Sequence, residues 1–181
     1  GEPAPLPELA ALAKEYNAQV YVDDAHGMGV MGEHPTPDMP YGFKGNGIVK
    51  HFGLDYVRDN LLYVGGMVKA FSSYAAFIVC HDRAMKDRLK MEAMTYPFSG
   101  PSPVAGIASL LSAIRVNREK GDRLREKVYG LTRRLVDGAR NLGFEVENVG
   151  YFPIACVIIG DISRMIRACK ILWDLGILIT P

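Results

Sequence analysis

Hydrophobic residues recur along the first half of the chain at the spacings typical of helices and of buried strands. Pro7 is compatible with the first turn of a helix, and the apolar positions after it continue at helical spacing up to Tyr16. Short apolar runs bounded by glycine, proline or polar residues indicate strands. The elements predicted here are a helix at 7–16, a strand at 19–22, a short helix at 48–52, strands at 61–64 and 75–80, and a helix at 83–94.

The second half is predicted to be a helical connection followed by a small α/β region. Residues 97–103 form a proline-rich rigid turn, after which two long helices are expected. The pattern then predicts helices at 104–119 and 122–142, strands at 144–146 and 154–159, a helix from Asp161 or Ser163 to Leu175, and a final strand at 177–180. The chain is therefore predicted to be α/β, with one domain part over residues 1–103 and a second over 104–181.

Composition narrows the class of protein. The chain has 181 residues, of which 49% are hydrophobic, and a formal net charge of +1. This balance is ordinary for a globular domain and supplies no electrostatic argument for a nucleic-acid or membrane partner. No apolar run reaches the roughly 18 residues of a membrane span. The abrupt ends of the chain lead us to expect a fragment of a longer protein.

The cysteines indicate a reducing environment. Cys80, Cys156 and Cys169 show no CxxC spacing, and each lies in an apolar stretch. They are predicted to be buried and reduced, which fits a cytoplasmic location.

The glycine-rich segment after the first strand matches GxGxxG, running from Gly27 to Gly32. A dinucleotide site would need a helix to begin inside that motif. The prolines that follow within residues 33–46 forbid one, so this region is predicted to be a loop. Asp23, Asp24 and His26 resemble a metal-ligand set only weakly, because no second histidine follows at i+4, and no metal site is predicted.

Lys69 differs from the other lysines in its surroundings, because it follows an apolar run and precedes small residues. Burial among such neighbours would favour the neutral amine, the form that attacks a carbonyl carbon. A pyridoxal 5'-phosphate (PLP) enzyme needs a lysine for its cofactor, a carboxylate for the ring nitrogen and a polar group near the ring hydroxyl. Lys69, Asp23 and His26 supply these three groups, although context alone leaves a solvated lysine as an open alternative.

Several segments together resemble one family. The run VDDAHGMGVMG, from Val22 to Gly32, resembles the V-D-[DE]-A-H-[GS]-x-G-V-x-G block of the α-oxoamine synthases, which are PLP-dependent fold-type I enzymes. Weaker likenesses lie at PLPEL (5–9), GIVKHFGL (47–54), VKAF (68–71), PFSGPSP (97–103) and GILI (176–179). The resemblance implies that 1–103 is part of the PLP-binding large domain and 104–181 comprises connecting helices and part of a small C-terminal domain.

The resemblance also implies roles for individual residues. Asp23 would pair with the pyridine nitrogen. His26 would contact the phenolic oxygen and, as a catalytic residue, help in proton handling, and Lys69 would carry the cofactor and act as a base. The phosphate would be held by hydroxyl groups, with Ser72, Ser73 and Ser99 as the candidates. The implied reaction condenses an amino acid with an acyl-CoA or other acyl thioester, in a homodimer. The family's cofactor-stacking aromatic and carboxylate-binding arginine have no counterpart in these residues, so we expect this chain alone to be inactive.

Departures from the family pattern keep other functions open. Gly66 and Val68 stand where the family has a hydroxyl residue and a small residue, so phosphate binding would depend on other groups. The loop at 33–46 lengthens the interval between His26 and Lys69 and is expected to cover the site or reshape the acyl channel. The alternatives are a fold-type I aminotransferase or lyase, or a non-catalytic partner subunit of the same fold.

Overall fold

The computed structural model describes residues 2–80 and 82–181. It divides them into two compact units, one formed by residues 3–127 and the other by Glu2 with residues 128–181. The helices and strands of both units confirm the α/β class. The assignment of 1–103 and 104–181 to two PLP-enzyme domains stays a prediction.

A three-stranded sheet organises the first unit. Helix α1 (Leu6–Glu15) leads into β1 (Val20–Asp23), short helix α2 (Ile48–His51), β2 (Leu61–Gly66) and β3 (Ala76–Val79). The strand order is β1-β2-β3, with β1 parallel and β3 antiparallel to β2. The central position of β2 explains why its Leu61 and Tyr63 side chains are completely buried.

The segment between β1 and α2 contains no further helix, as its prolines predict. It is nevertheless tied down at several points. Glu33 forms an isolated antiparallel bridge with Phe43, and its carboxylate pairs with Lys44 Nζ at 2.6 Å. The backbone N–H of Lys44 donates to Asp122 Oδ1 at 2.9 Å. The loop is therefore a folded strap with its own hydrogen bonds.

After helix α3 (Arg83–Glu92), a single 38-residue helix, α4 (Val104–Asn141), replaces the two helices predicted from the sequence. The predicted break at Lys120–Gly121 is wrong because Gly121 is buried at a crowded position on the helix. A Cβ there would lie 2.4 Å from Asn117 Oδ1 and 2.8 Å from Arg125 Nη2. Glycine makes room for these side chains, and the cost of glycine in a helix, roughly 1 kcal/mol, does not end it.

The second unit contains an antiparallel pair, β4 (Glu145–Glu147) and β5 (Cys156–Ile158), followed by α5 (Ile162–Asp174). Asp161 caps α5 by accepting a hydrogen bond from Arg164 N at 2.7 Å, as expected. The predicted strand at 177–180 is wrong, since these residues are not paired. Ile177 N instead closes the helix end by donating to Leu172 O, and Gly176 has the left-handed φ of +80° that this closure requires.

Cys156 is exposed on β5 and Cys80 and Cys169 are half-buried, so the predicted full burial of the three cysteines is wrong; all three are free thiols. No helix of the described residues combines the length and the apolar character needed to cross a membrane.

Candidate active site

Asp23 and His26 lie where β1 ends at the edge of the sheet. Asp23 is the last residue of β1 and pairs in register with Val64 of β2, while Asp24 N donates to Val64 O at 2.9 Å. Asp23 is exposed, and its Oδ1 accepts a hydrogen bond from Ala25 N at 3.0 Å, which fixes the start of the turn. His26 is exposed in that turn. Both side chains therefore lie at the carboxyl edge of the β1–β2 pair, the edge at which open α/β sheets bind ligands.

Lys69 lies in the tight loop that joins β2 to β3. The loop is closed at its base by Met67 N donating to Ala75 O at 3.0 Å and by Ser73 N donating to Met67 O at 2.9 Å. Ser72 N donates to Lys69 O at 3.1 Å, which adds a turn at the tip.

Of the two environments that the sequence left open for Lys69, the structure has the solvated one. Met67, Phe71 and Ser73 are buried, whereas the side chain of Lys69 is exposed. The apolar character of the neighbouring sequence is used to pack the loop onto the sheet, and the amine is left accessible.

Gly29 brings the two loops into contact. It has φ of +86°, and a Cβ on it would lie 2.5 Å from Ala70 Cβ and 2.9 Å from the ring of Phe71. Only a residue without a side chain permits this approach, because the left-handed backbone and the close neighbours both exclude other residues. The turn that carries His26 therefore packs against the two residues that follow Lys69.

Gly66, the last residue of β2, is also close to the turn that carries His26. A Cβ on Gly66 would lie 3.1 Å from both the Cα and the Cβ of Ala25. This distance is a packing reason for glycine at the position where the family has a hydroxyl residue, since a larger side chain would press on the Asp23–His26 turn.

The sequence did not predict a structural role for Asp24, which is buried directly after β1 at this edge of the sheet. It is 4% exposed. Its Oδ2 accepts hydrogen bonds from Tyr63 Oη at 2.7 Å and from Ile48 N at 2.8 Å. Burial raises the pKa of the Asp24 carboxyl above its usual range, although both hydrogen bonds act in the opposite direction. The alternation of a strand could have indicated this, because adjacent residues point to opposite faces, with Asp23 outward and Asp24 inward.

Ser99 lies in the segment before α4. It is exposed, and its hydroxyl donates to Tyr96 O at 3.2 Å within its own turn. Its role as a phosphate ligand stays a prediction. Among the described residues, no group of three or more histidine, cysteine, aspartate or glutamate side chains is arranged to hold a metal ion.

Known proteins resemble this chain in sequence and in fold. The chain is 34% identical over 180 residues to 8-amino-7-oxononanoate synthase of Nitrosococcus oceani, covering 99% of this chain and 44% of that protein. Serine palmitoyltransferase of Sphingomonas wittichii has a similar structure, with a TM-score of 0.82, 27% identity and coverage of 99% of this chain and 42% of that one. A high-resolution serine palmitoyltransferase structure with a PLP internal aldimine matches with a TM-score of 0.80 and 25% identity, over 98% of this chain and 42% of that one.

These comparisons confirm the α-oxoamine synthase resemblance read from Val22–Gly32 and the partial fold-type I architecture. The chain spans less than half the length of the proteins it matches, at 44%, 42% and 42%. The model of the family described as aminotransferase class I and II matches residues 1–181. The chain therefore belongs to the aminotransferase class I and II family.

Proposed function

We propose that this chain carries the cofactor lysine of a PLP-dependent acyltransferase, with Lys69 as that lysine. The observation that carries the proposal is the convergence of three groups at one sheet edge. Asp23 ends β1, His26 lies in the turn that follows, and Gly29 packs that turn against Ala70, the residue after Lys69. The donor set fits PLP, because an accessible amine, a carboxylate and an imidazole lie on adjoining loops.

Each of the three residues would have its own role. Lys69 would hold the cofactor and afterwards take and return a proton at the α-carbon of the amino acid. Asp23 would accept a hydrogen bond from the protonated ring nitrogen of PLP, and His26 would contact the ring's phenolic oxygen. When bound, PLP withdraws electrons from the α-carbon of its substrate, which makes that proton or the carboxyl group easier to lose. Gly66 has no hydroxyl for the phosphate, so backbone N–H groups and serines such as Ser99 take that task.

The reaction we propose is acyl transfer from an acyl thioester such as acyl-CoA to an amino acid. It is supported by one of the similar proteins, serine palmitoyltransferase, whose name indicates acyl transfer to an amino acid. A bond forms between the α-carbon and the acyl carbonyl carbon, the carbon–sulfur bond breaks, and the thiolate leaves and takes a proton from water. The bond between the α-carbon and the carboxylate carbon then breaks, carbon dioxide leaves, and the proton returned by Lys69 takes its place on the α-carbon. We further propose a homodimeric, cytoplasmic enzyme. Transamination is the rival, because the matching family model takes its description from aminotransferases.

The first experiment locates the cofactor. The complete protein, isolated with any chains that copurify, is incubated with PLP, reduced with borohydride, digested and analysed by mass spectrometry. We expect the pyridoxyl group on Lys69, with loss of the roughly 420 nm absorbance typical of lysine-bound PLP in Lys69→Ala. Lys86→Ala, which changes an exposed lysine of α3, serves as the control and keeps both signals. An undiminished absorbance band in Lys69→Ala would refute the proposal.

The second experiment distinguishes the reactions. Free thiol release is measured in the same preparation with amino acid and acyl-CoA mixtures, and amino-group transfer is measured with amino acid and 2-oxo acid mixtures. Thiol release that requires both substrates and Lys69 supports acyl transfer. Amino-group transfer without thiol release identifies an aminotransferase instead. PLP binding with neither reaction identifies a non-catalytic subunit and also overturns the acyltransferase proposal.

A further inference from the structure

Helix α4 carries a buried arginine whose contacts lead to the loop that carries His26. Arg125 is 4% exposed, and its Nη1 donates to Gly29 O at 3.1 Å and to Asn117 Oδ1 at 2.7 Å. Its Nη2 pairs with Asp122 Oδ1. Burying a guanidinium is costly unless its donors are satisfied; here one carbonyl, one amide and one carboxylate accept from Nη1 and Nη2, while the buried Nε–H has no partner among the described residues. Gly29 O is the only backbone acceptor among these three partners.

Gly29 transmits this contact to the lysine loop. Its other neighbours are Ala70 and Phe71, which a Cβ on Gly29 would overlap. The N–H of Gly29 donates to Gly45 O at 2.9 Å, so the residue is held on both its carbonyl and its amide sides. Any shift of Gly29 toward or away from α4 therefore changes the packing directly after Lys69.

Another part of α4 also contacts the lysine loop itself. Ser73 Oγ donates to Phe71 O at 2.9 Å and lies 3.1 Å from Ser109 Oγ. Because the single hydroxyl hydrogen of Ser73 goes to Phe71, Ser109 is the donor in the second bond. Ser109 and Arg125 belong to the same helix, so α4 contacts both the turn that carries His26, through Arg125, and the loop that carries Lys69, through Ser109.

We propose that Arg125 is a positioning residue that fixes the position of the turn carrying His26 relative to the loop carrying Lys69. It acts through Gly29 and touches neither cofactor nor substrate. The inference rests on the proposed function, because it assigns Arg125 to the PLP site on Lys69. Arginine is required rather than lysine, because its planar fork reaches Gly29 O, Asn117 and Asp122 at once. An ammonium group cannot reproduce that set of contacts.

The test uses Arg125→Lys and Arg125→Ala in the complete protein, with PLP affinity and the pH dependence of the bound-PLP absorbance as readouts. We expect Arg125→Lys to weaken PLP binding by about tenfold, the scale on which lost outer contacts affect a bound group. We also expect the pH midpoint of the absorbance band to move. A general loss of stability would leave that midpoint in the folded fraction unchanged. In Arg125→Ala, added guanidinium should restore binding by refilling the vacated space.

Two controls separate positioning from simple stabilisation. Arg140→Lys changes an arginine of the same helix that donates to two backbone carbonyls, Val146 O and Asn148 O, in the second unit. It should change thermal stability without changing PLP affinity. In the cofactor-free protein, amide hydrogen exchange at Gly29 and Ser72 should be faster in Arg125→Lys than in the native protein. If Arg125→Ala does not fold, this exchange measurement on Arg125→Lys takes the place of the guanidinium rescue.

The outcomes are distinguishable. Absence of labelling at Lys69 in native protein refutes the proposed function. Faster exchange at Gly29 and Ser72 in Arg125→Lys would still show that Arg125 holds the two loops in place. Labelling at Lys69 with equal PLP affinity and an unmoved pH midpoint in native protein and Arg125→Lys overturns the positioning role alone. Weakened binding with a shifted midpoint, rescued by guanidinium in Arg125→Ala but not in Lys69→Ala, supports it.

Discussion

Tyr63 Oη donates a 2.7 Å hydrogen bond to Asp24 Oδ2 in the interior of the first unit. The tyrosine is completely buried on the central strand, and the aspartate belongs to the turn that leads from Asp23 to His26. The buried Asp24 carboxylate thus anchors the turn to β2, while the neighbouring Asp23 carboxylate stays at the surface. Burial and the adjacent Asp24 charge raise the pKa of Tyr63, which keeps the phenol protonated as the donor.

This relationship predicts an unusual pH dependence of stability. Burial raises the pKa of Asp24 above its ordinary value of 3.8, so just above pH 3.8 the folded state retains a proton that the unfolded chain loses. The free energy of unfolding contributed by Asp24 therefore falls as the pH rises through that window. Asp24→Asn cannot ionise and can still accept from Tyr63, so its denaturant midpoint should fall less over the same range. Asp38→Asn, in the exposed loop, should follow the native curve.

Asp59 should show the opposite pH dependence. The hydrogen bond from Asp55 N and then that from Lys14 Nζ lower the pKa of Asp59, which is 4% exposed. Its contribution to stability is therefore present above pH 3.8 and is lost as the pH falls through the lowered folded value. In urea unfolding at neutral pH, Asp59→Ala should cost about 1–3 kcal/mol, because it leaves Asp55 N unpaired.

Lys14→Gln is the matched control for this pair. The lysine side chain is 51% exposed, so an ordinary surface ion pair is the expected loss, about 0–1 kcal/mol. Equal losses for Asp59→Ala and Lys14→Gln would show that the ion pair, and not the hydrogen bond from Asp55 N, carries the stability.

The sequence predicted the parts of this site that depend on local patterns and not those that depend on long-range contacts. Strand ends and the DDAH block placed Asp23 and His26 correctly at one edge, because alternation and turn residues are local properties. The sequence left both burial and exposure of Lys69 open, because Phe71 and Met67 could bury their side chains with or without burying the lysine between them. The role of Arg125 was hidden, because its contact with Gly29 spans 96 residues of sequence.

The glycines of α4 provide a test of the single-helix assignment. Gly130 has no heavy atom within 4 Å of an added Cβ, so Gly130→Ala should raise the free energy of unfolding by roughly 0.5–1 kcal/mol through helix propensity. Gly121→Ala gains the same propensity but places its Cβ 2.4 Å from Asn117 Oδ1, so it should be destabilising overall. Thermal unfolding of both variants checks this. Equal stabilisation by the two substitutions would show that Asn117 and Arg125 do not crowd Gly121.

The contact between Gly29 and Ala70 predicts that one glycine affects both stability and the cofactor site. Gly29 and Gly53 both have left-handed backbones, with φ of +86° and +67°, so alanine at either should cost about 1–2 kcal/mol of backbone strain. A Cβ at Gly53 meets nothing within 4 Å, whereas one at Gly29 overlaps Ala70 and Phe71. Gly29→Ala should therefore lose a further 1–3 kcal/mol or so through overpacking. It should also weaken PLP binding, which Gly53→Ala leaves unchanged. Denaturant unfolding and PLP titration of the two variants measure both effects, and equal PLP affinities would show that the Gly29–Ala70 packing does not position Lys69.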